Sequence, residues 1–526
     1  GEQSAGYREF CGMAPGVALL PESAGYRLYI ESLFDELSTE VKVLFDRRDP
    51  ASVLWPKRAT FEGLLDVLNA TDLANVWGEE ETIGWVYQFF NSGEERRKMR
   101  EESQAPRNSR ELAIRNQFFT PRYVVEFLVD NTLGRMWIKM HGYSSALIDR
   151  CRYFVRTEDA RTRPRKDPRD LRILDPACGS GHFLLYCFDL LLMIYEEAWA
   201  DPDAVTFSVT GRTLREDYAD IEALRRAVPA LTVEHNLYGV DIDPRAAQIA
   251  PLALWMRAQR AWKNYGVSAA ERPPIRRSHI VVAEPMPGDA VLVEEFAERL
   301  DPPLLRDLFR KMVSEMRLAG ELGTLIPVEE GIAAELRRAR EQFAKRRQTT
   351  GFLPGMEPVR KQGELDISGI DDDSFFHEAE ASIVEALRHF AEAAAGGASV
   401  RRRLFVGDAA QGIALIDLLR TRFNVVLMNP PFGAASLAAK KEFEKAYPRT
   451  KNDIFAAFVE RGIQVLHPHG LLGAITSRTG FFLSRFQKWR EEIILKEAPP
   501  VVFADLGHGV MDTAMVEAAA YCLEKC

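Results

Sequence analysis

From Leu171 to the C-terminus, short apolar runs ending in glycine, proline or acidic residues alternate with longer amphipathic stretches. No other property of the chain restricts its fold as much. Strands separated by helical crossovers do not form hairpins; they assemble into a parallel sheet with helices packed on its faces. Strands are predicted at Arg172–Leu174, Leu237–Val240, Leu404–Val406, Asn424–Leu427, Leu471–Thr476, Val501–Ala504 and Met515–Leu523. Seven strands suffice for a complete doubly wound α/β sheet.

The remaining sequence is arranged around that sheet. At 526 residues the chain exceeds what one hydrophobic core organises, so several regions are expected. Residues 1–110 read as helical, with apolar stripes at Tyr29-Ile30, Leu33-Phe34 and Leu37, and at Phe61, Leu64-Leu65 and Val67-Leu68. Region 111–262 begins the sheet domain: Phe118-Phe119-Thr120-Pro121 introduces a helix to about Met140, with Thr120 as its N-cap. Region 263–403 interrupts the alternation. It is rich in Glu, Arg, Lys and Ala, with helices predicted at Gly331–Gln348 and Phe375–Ala395 around a polar stretch at 351–373. It reads as a helical subdomain beside the sheet, and region 404–526 as the second half of the sheet domain.

Several function classes lose support at once. No apolar run reaches the length of a membrane span, and the start carries no basic-then-apolar signal pattern. The six cysteines show neither a C-x-x-C pair nor zinc-like spacing, so reduced thiols, a cytoplasmic setting and no metal are expected. The net charge is −9, so any nucleic-acid contact depends on local basic patches. Such patches occur at Arg96–Arg100, Arg161–Arg169, Lys345–Arg347 and Arg401–Arg403, although a solvated helix face or loop is the plainer reading of any single one.

The chemistry sits where strands end. Asp175-Pro176-Ala177-Cys178-Gly179-Ser180-Gly181 follows the first strand and opens a helix. Its glycines let the backbone approach a ligand, and the helix start offers unpaired N–H groups. Its acidic residue suits a ligand bearing an ammonium group, and the spacing is not the G-x-G-x-x-G of a dinucleotide site. The second strand ends at Asp241-Ile242-Asp243-Pro244, where Asp241 is placed to accept both hydroxyls of a ribose and Asp243 to cap the helix at Pro244.

A buried-strand run, Phe423 to Met428, stops at Asn429-Pro430-Pro431-Phe432-Gly433. Two prolines fix the backbone and remove two amide donors. The Asn429 side-chain oxygen and the Pro430 carbonyl can then hold both hydrogens of a planar amine. Such an amine is a poor nucleophile until its lone pair is drawn out of conjugation, and placement alone supplies most of the rate. Phe432 offers a face for a flipped base. Asp453 reads as a helix cap, His182 as a helix-start residue beside the ligand, and Arg478 and Arg485 as either nucleic-acid contacts or plain surface charge.

With both motifs in hand, the chain resembles the N6-adenine DNA methyltransferases whose target motif follows the cofactor motif. The resemblance runs from about Ile83 to the C-terminus. Asp-Pro-Ala-Cys-Gly-Ser-Gly matches the cofactor loop, Asn-Pro-Pro-Phe the catalytic motif and Asn-Gln-Phe-Phe-Thr-Pro (116–121) the element before the cofactor loop. The segment Ile83-Gly84-Trp85-Val86-Tyr87-Gln88 and the long insertion are similar to the large methyltransferases of restriction and phage-defence systems, such as the PglX type of BREX systems.

The resemblance implies a Rossmann-like class I methyltransferase sheet with a helical N-terminal domain and a helical insertion. It implies S-adenosylmethionine as methyl donor, double-stranded DNA as substrate and other subunits of a defence system as partners. By it, Asn429, Pro430, Pro431 and Phe432 are catalytic. Phe119, Thr120, Asp175, Pro176, Ala177, Gly179, Gly181, Asp241 and Ile242 hold the cofactor. An acidic residue after the third strand meets its adenine: Asp408, with Glu284 as the rival. RNA adenine and protein glutamine remain alternative amines, and a methylase fused to a nuclease an alternative architecture.

Overall fold

The computed structural model describes residues 4–20, 24–37, 55–73, 75–78, 82–103, 105–116, 120–157, 162–301, 303–329, 331–333, 372–392, 398–510 and 517–526. Among these, no helix is long and apolar enough to cross a membrane. A seven-stranded sheet organises the chain, in the order β3-β2-β1-β4-β5-β7-β6. The strands are β1 (Ile173–Asp175), β2 (Leu237–Asp241), β3 (His279–Val282), β4 (Phe423–Met428), β5 (Leu466–Ser477), β6 (Pro500–Gly507) and β7 (Ala518–Glu524). The neighbours from β3 to β5 are parallel, whereas β7 runs against both β5 and β6.

Helices cover both faces, which is why β4 is apolar apart from Asn424 and has every residue buried. Its side chains alternate: Val426 and Met428 enter one core, Val425 and Leu427 the other. The second core is packed by the stretch 122–140 and by the helices His182–Ala200, Ile221–Leu231 and Pro244–Asn264. In the N-terminal region the apolar stripes fall on the helices Ala24–Leu37 and Arg58–Leu68, as their spacing predicts.

The strand count matches the prediction, but one strand is different. Residues 404–406 lie in the helix Ala398–Arg420, and the third strand is His279–Val282. Leu404-Phe405-Val406 is too short a run for alternation to distinguish from a helix turn. Its continuation settles the matter, because Phe405, Ala409, Ile413 and Ile416 are all buried at helical spacing. The β-branched run Ile280-Val281-Val282 is the sheet member instead, inside the span read as insertion.

The insertion is also more than an appendage. Phe296, Phe309, Phe390 and Phe405 form an aromatic cluster, with centroids 4.8 Å apart for Phe296–Phe309 and 5.7 Å for Phe390–Phe405. That cluster belongs to the same core as Leu174, Val240 and Val426 of the sheet. The helices Ala290–Ala297, Pro303–Glu315 and Asp372–Glu392 therefore form one layer of the α/β fold. The predicted helix 331–348 and the polar stretch to 371 fall outside the described residues, except for helical positions 331–333.

Candidate active site

From β1 the chain steps outward through β2 to β3, then returns to the other side of β1 as β4. Loops leaving adjacent strands in opposite directions open a crevice at their carboxyl ends. A cleft of ≈ 1120 Å³, open to solvent, lies there. Of the residues expected to hold the cofactor, Thr120, Asp175, Pro176, Ala177, Gly179, Asp241 and Ile242 line it, and of the target motif Asn429 and Pro431; Gly181, Pro430 and Phe432 are not among its lining residues.

The loop after β1 is tied to β2. The Cys178 N–H donates to the Val240 carbonyl (2.9 Å), and the Gly179 N–H donates to Asp241 Oδ2 (2.8 Å). Gly179 and Gly181 hold φ of +52° and +90°, the left-handed region in which a side chain would be strained. A Cβ on Gly181 would also stand 3.3 Å from that of Ala250. The second oxygen of Asp241 accepts the Asp243 N–H (2.8 Å), so both its oxygens position backbone while each retains a further lone pair. Burial pushes the carboxyl of Asp241 up to about 6. Burial, with the charge of Asp241 adding to it, raises Asp175 well above the carboxylate range. A buried and a half-buried carboxyl crowding one cleft favour a cationic occupant.

The target loop is held from three sides. Asn429 Nδ2 donates to Thr120 Oγ1 (3.0 Å), leaving its carbonyl oxygen as the acceptor. The Phe432 N–H donates to Asn116 Oδ1 (2.9 Å), and the Gly433 N–H to Asp453 Oδ1 (2.7 Å). Gly433 has φ +100°, and its carbonyl receives the Ile454 N–H (2.8 Å). Asp453 caps the helix Ile454–Val465, as the sequence predicts, and burial raises its carboxyl to about 6. Phe432 packs 6.3 Å from Phe455.

Thr120 is not the helix cap its position suggests. The helix Arg122–Val129 starts after Pro121, whose carbonyl takes the N–H groups of Val124 and Val125, and the Thr120 hydroxyl turns to Asn429 instead. Phe119 lies outside the described residues. Asp408 does not end a strand; it is exposed on the helix Ala398–Arg420 and is not among the residues lining the cleft. Glu284 does follow the true third strand, yet it too stays off the cleft wall, and burial followed by the charge of Asp408 raises its carboxyl. The two rival acids are neighbours, and the strand-end argument for Asp408 falls with the strand.

The cleft also recruits residues that strand-end reasoning does not reach. Gly84 and Tyr87 come from the helix Thr82–Phe90, and Glu321 to Gly323 with Leu325 from the insertion. A Cβ on Gly84 would lie 2.5 Å from Ser180 Oγ, so the helix rests directly on the cofactor loop. The Tyr87 hydroxyl donates to Asp243 Oδ2 (2.8 Å). Burial raises the Asp243 carboxyl, but hydrogen bonds from Arg245 and Tyr87 outweigh it and hold the group below its ordinary range. The signal lay in Ile83-Gly84-Trp85-Val86-Tyr87-Gln88, where a glycine interrupts an otherwise apolar helix.

Part of the basic clusters is engaged internally. Arg401 pairs with Asp289 (2.6 Å) and Arg402 with Glu295. Arg96 is buried, and Arg100 donates to the Arg115 carbonyl (2.7 Å). Lys345–Arg347 lies outside the described residues.

The chain is 24% identical over 523 residues to the adenine-specific methyltransferase PglX of Lacticaseibacillus casei (strain Zhang), covering 94% of this chain and 36% of that protein. It is 26% identical over 461 residues to the adenine-specific methyltransferase BrxX of Escherichia coli O9:H4 (strain HS), covering 84% of this chain and 33% of that protein. It thus spans about a third of the length of these curated relatives. Among solved structures, a DrdV–DNA complex aligns over 100% of this chain and 39% of its own, with a TM-score of 0.41 at 13% identity. A model of the MmeI DNA-methyltransferase domain matches residues 159–285. The model of the Eco57I restriction-modification methylases matches residues 235–505, more than half of the chain and the whole target loop, and the chain belongs to that family.

Proposed function

We propose that this chain transfers a methyl group from S-adenosylmethionine to N6 of adenine in double-stranded DNA, within a restriction or phage-defence system. The observation that carries the proposal is the convergence of the Asn429 acceptor and the Asp175–Asp241 carboxyls on one cleft. The curated relatives named as adenine-specific methyltransferases support adenine as the target.

The donor set fits the cofactor. Gly179 and Gly181 let the backbone approach the ligand closely, Asp175 meets an ammonium group, and the free lone pairs of Asp241 meet ribose hydroxyls. Bound there, the donor supplies an electrophilic sulfonium methyl. The Asn429 oxygen and the Pro430 carbonyl accept the two amine hydrogens and draw the nitrogen lone pair out of the ring. Thr120 fixes the Asn429 amide, and Asp453 fixes the backbone turn behind Phe432. No covalent intermediate with the protein is needed, because orientation and local dipoles lower the barrier.

Sequencing of modified bases in DNA from cells expressing the chain tests this reading. N6-methyladenine at a defined sequence is expected. Methyl transfer to RNA or protein alone, measured side by side with DNA, would overturn it.

Two further outcomes follow from the same geometry. Thr120→Val removes the partner of the Asn429 amide, and kcat is expected to fall about tenfold; a rise in cofactor Kd of similar size measures the share of Thr120 in holding the cofactor. Cofactor affinity is also expected to depend on acidity. Asp241 accepts hydroxyls best when ionised and titrates at about 6, so affinity is full above that pH and falls as pH drops through it. Calorimetry should show this loss, and Asp241→Asn should flatten the profile.

A further inference from the structure

At the end of β5 the chain presents Phe482 and Leu483 to solvent, with 66% and 43% of their surface exposed. Such exposure on a mobile loop would mean little, but this tip is tied down on both sides. Phe481 before it packs 5.2 Å from Trp489 and 5.2 Å from Tyr521. Phe486 after it is buried, 5.3 Å from Phe455. Arg490 Nη1 donates to the carbonyls of Gly480 and Leu483, both at 2.8 Å. One partly buried aromatic anchor, Phe481, one buried one, Phe486, and the Arg490 clamp therefore hold Phe482 and Leu483 at the surface. Fixing an exposed apolar pair has a cost that isolated folding does not return, and it points to a partner that covers the pair.

The tip stands beside the target loop. β4 and β5 are parallel, with Met428 opposite Ala474, so 429–433 and 478–486 leave the same edge of the sheet. A Cβ on Gly480 would lie 3.0 Å from the Phe455 ring, and Phe455 is the residue against which Phe432 packs. Asn452 Nδ2 donates to the Arg485 carbonyl (2.7 Å), and the charge of Arg485 reaches Asp453, which fixes Gly433. Arg485 also lies 4.9 Å above the Phe486 ring. Arg478 pairs with Asp505 (2.9 Å) and Glu517, and its guanidinium also lies 5.6 Å over the Phe482 ring, covering one face of it.

We propose that Phe482 and Leu483 form the wedge that enters the duplex as the target adenine leaves it, with Arg485 placed toward the flanking phosphates. The proposal rests on the adenine-DNA reading above and extends it to how the base is exposed. Apolar side chains inserted between base steps offset the loss of stacking when a nucleotide is extruded. A rigid tip does this better than a flexible one, because less order is lost on insertion.

Tritiated methyl transfer tests it on two duplexes: one carrying the adenine mapped by modified-base sequencing, and the same duplex with cytosine opposite that adenine. The double variant Phe482→Ala, Leu483→Ala is expected to lose about tenfold or more in kcat/KM on the matched duplex. On the mismatched duplex, whose adenine is already poorly stacked, most of that loss should vanish. Thermal midpoint and S-adenosylmethionine Kd should stay unchanged, and Phe482→Trp should keep activity on both duplexes. Equal loss on the two duplexes, or no loss on either, overturns the wedge while leaving the methylase reading intact. If the unsubstituted protein methylates no DNA, the adenine reading fails and the wedge falls with it.

Discussion

Asn429→Ala is expected to lower the rate of methyl transfer by about 10²–10³-fold, the size typical of removing one preorganised polar contact to a reacting group. The side chain is part-buried at the mouth of the cleft and is turned by Thr120 so that its oxygen is free. Alanine removes that acceptor but leaves Pro430, Pro431 and the Gly433–Asp453 contact, so the loop should keep its shape. Cofactor Kd and DNA affinity should change only slightly. The loss should therefore fall on kcat, which marks an interaction made in the transition state. Single-turnover transfer with labelled donor measures it directly. A variant retaining the parent rate would remove Asn429 from the chemistry, and a large change in cofactor Kd would make it a binding residue instead.

Asp241→Ala is expected to damage the opposite half of the site. Asp241 organises the cofactor loop through Gly179 and the next turn through Asp243, and its remaining lone pairs face the cleft. Removing it leaves two backbone N–H groups without their acceptor, each at a cost of about 1–3 kcal/mol. It also deletes the acceptor proposed for the ribose hydroxyls. Cofactor Kd should rise by about 100-fold or more, with the loss of kcat recovered in part at saturating donor. Calorimetry separates the outcomes. An unchanged Kd would place the nucleoside elsewhere in the cleft. Together the two variants divide the site into a half that reacts and a half that binds.

The legibility of each half follows from how local its determinants are. Asp175 to Gly181 and Asn429 to Gly433 carry strand, turn and helix start within a few residues, so their placement at strand ends was readable from the sequence. Asp453 was readable for the same reason, as a cap one residue before its helix. The third strand was not. Leu404-Phe405-Val406 and Ile280-Val281-Val282 are both three-residue apolar runs, and only tertiary burial decides which joins the sheet. That one exchange carried Asp408 with it. Thr120 shows a second kind of limit: its hydroxyl can satisfy a local N–H or a distant amide, and the competitor is Asn429, more than 300 residues away. Gly84 and Tyr87 stand in a segment the sequence marks out, but their contact with the loop after β1, like the place of Gly323, was beyond reach because close approach between remote segments has no local period.

That same remoteness bears on how the cleft comes into being. The cleft is walled by Gly84 and Tyr87, by Asp175 and Asp241, by Gly323 and Leu325, and by Asn429 and Phe458. A ribosome delivers these parts in sequence, and contacts of such long range close late. A nascent chain that has emerged as far as β2 already carries the cofactor loop, yet it lacks the insertion wall and the amine acceptor. The cleft is therefore complete only late in the synthesis of this region, and a chain released before β4 lacks one of its walls.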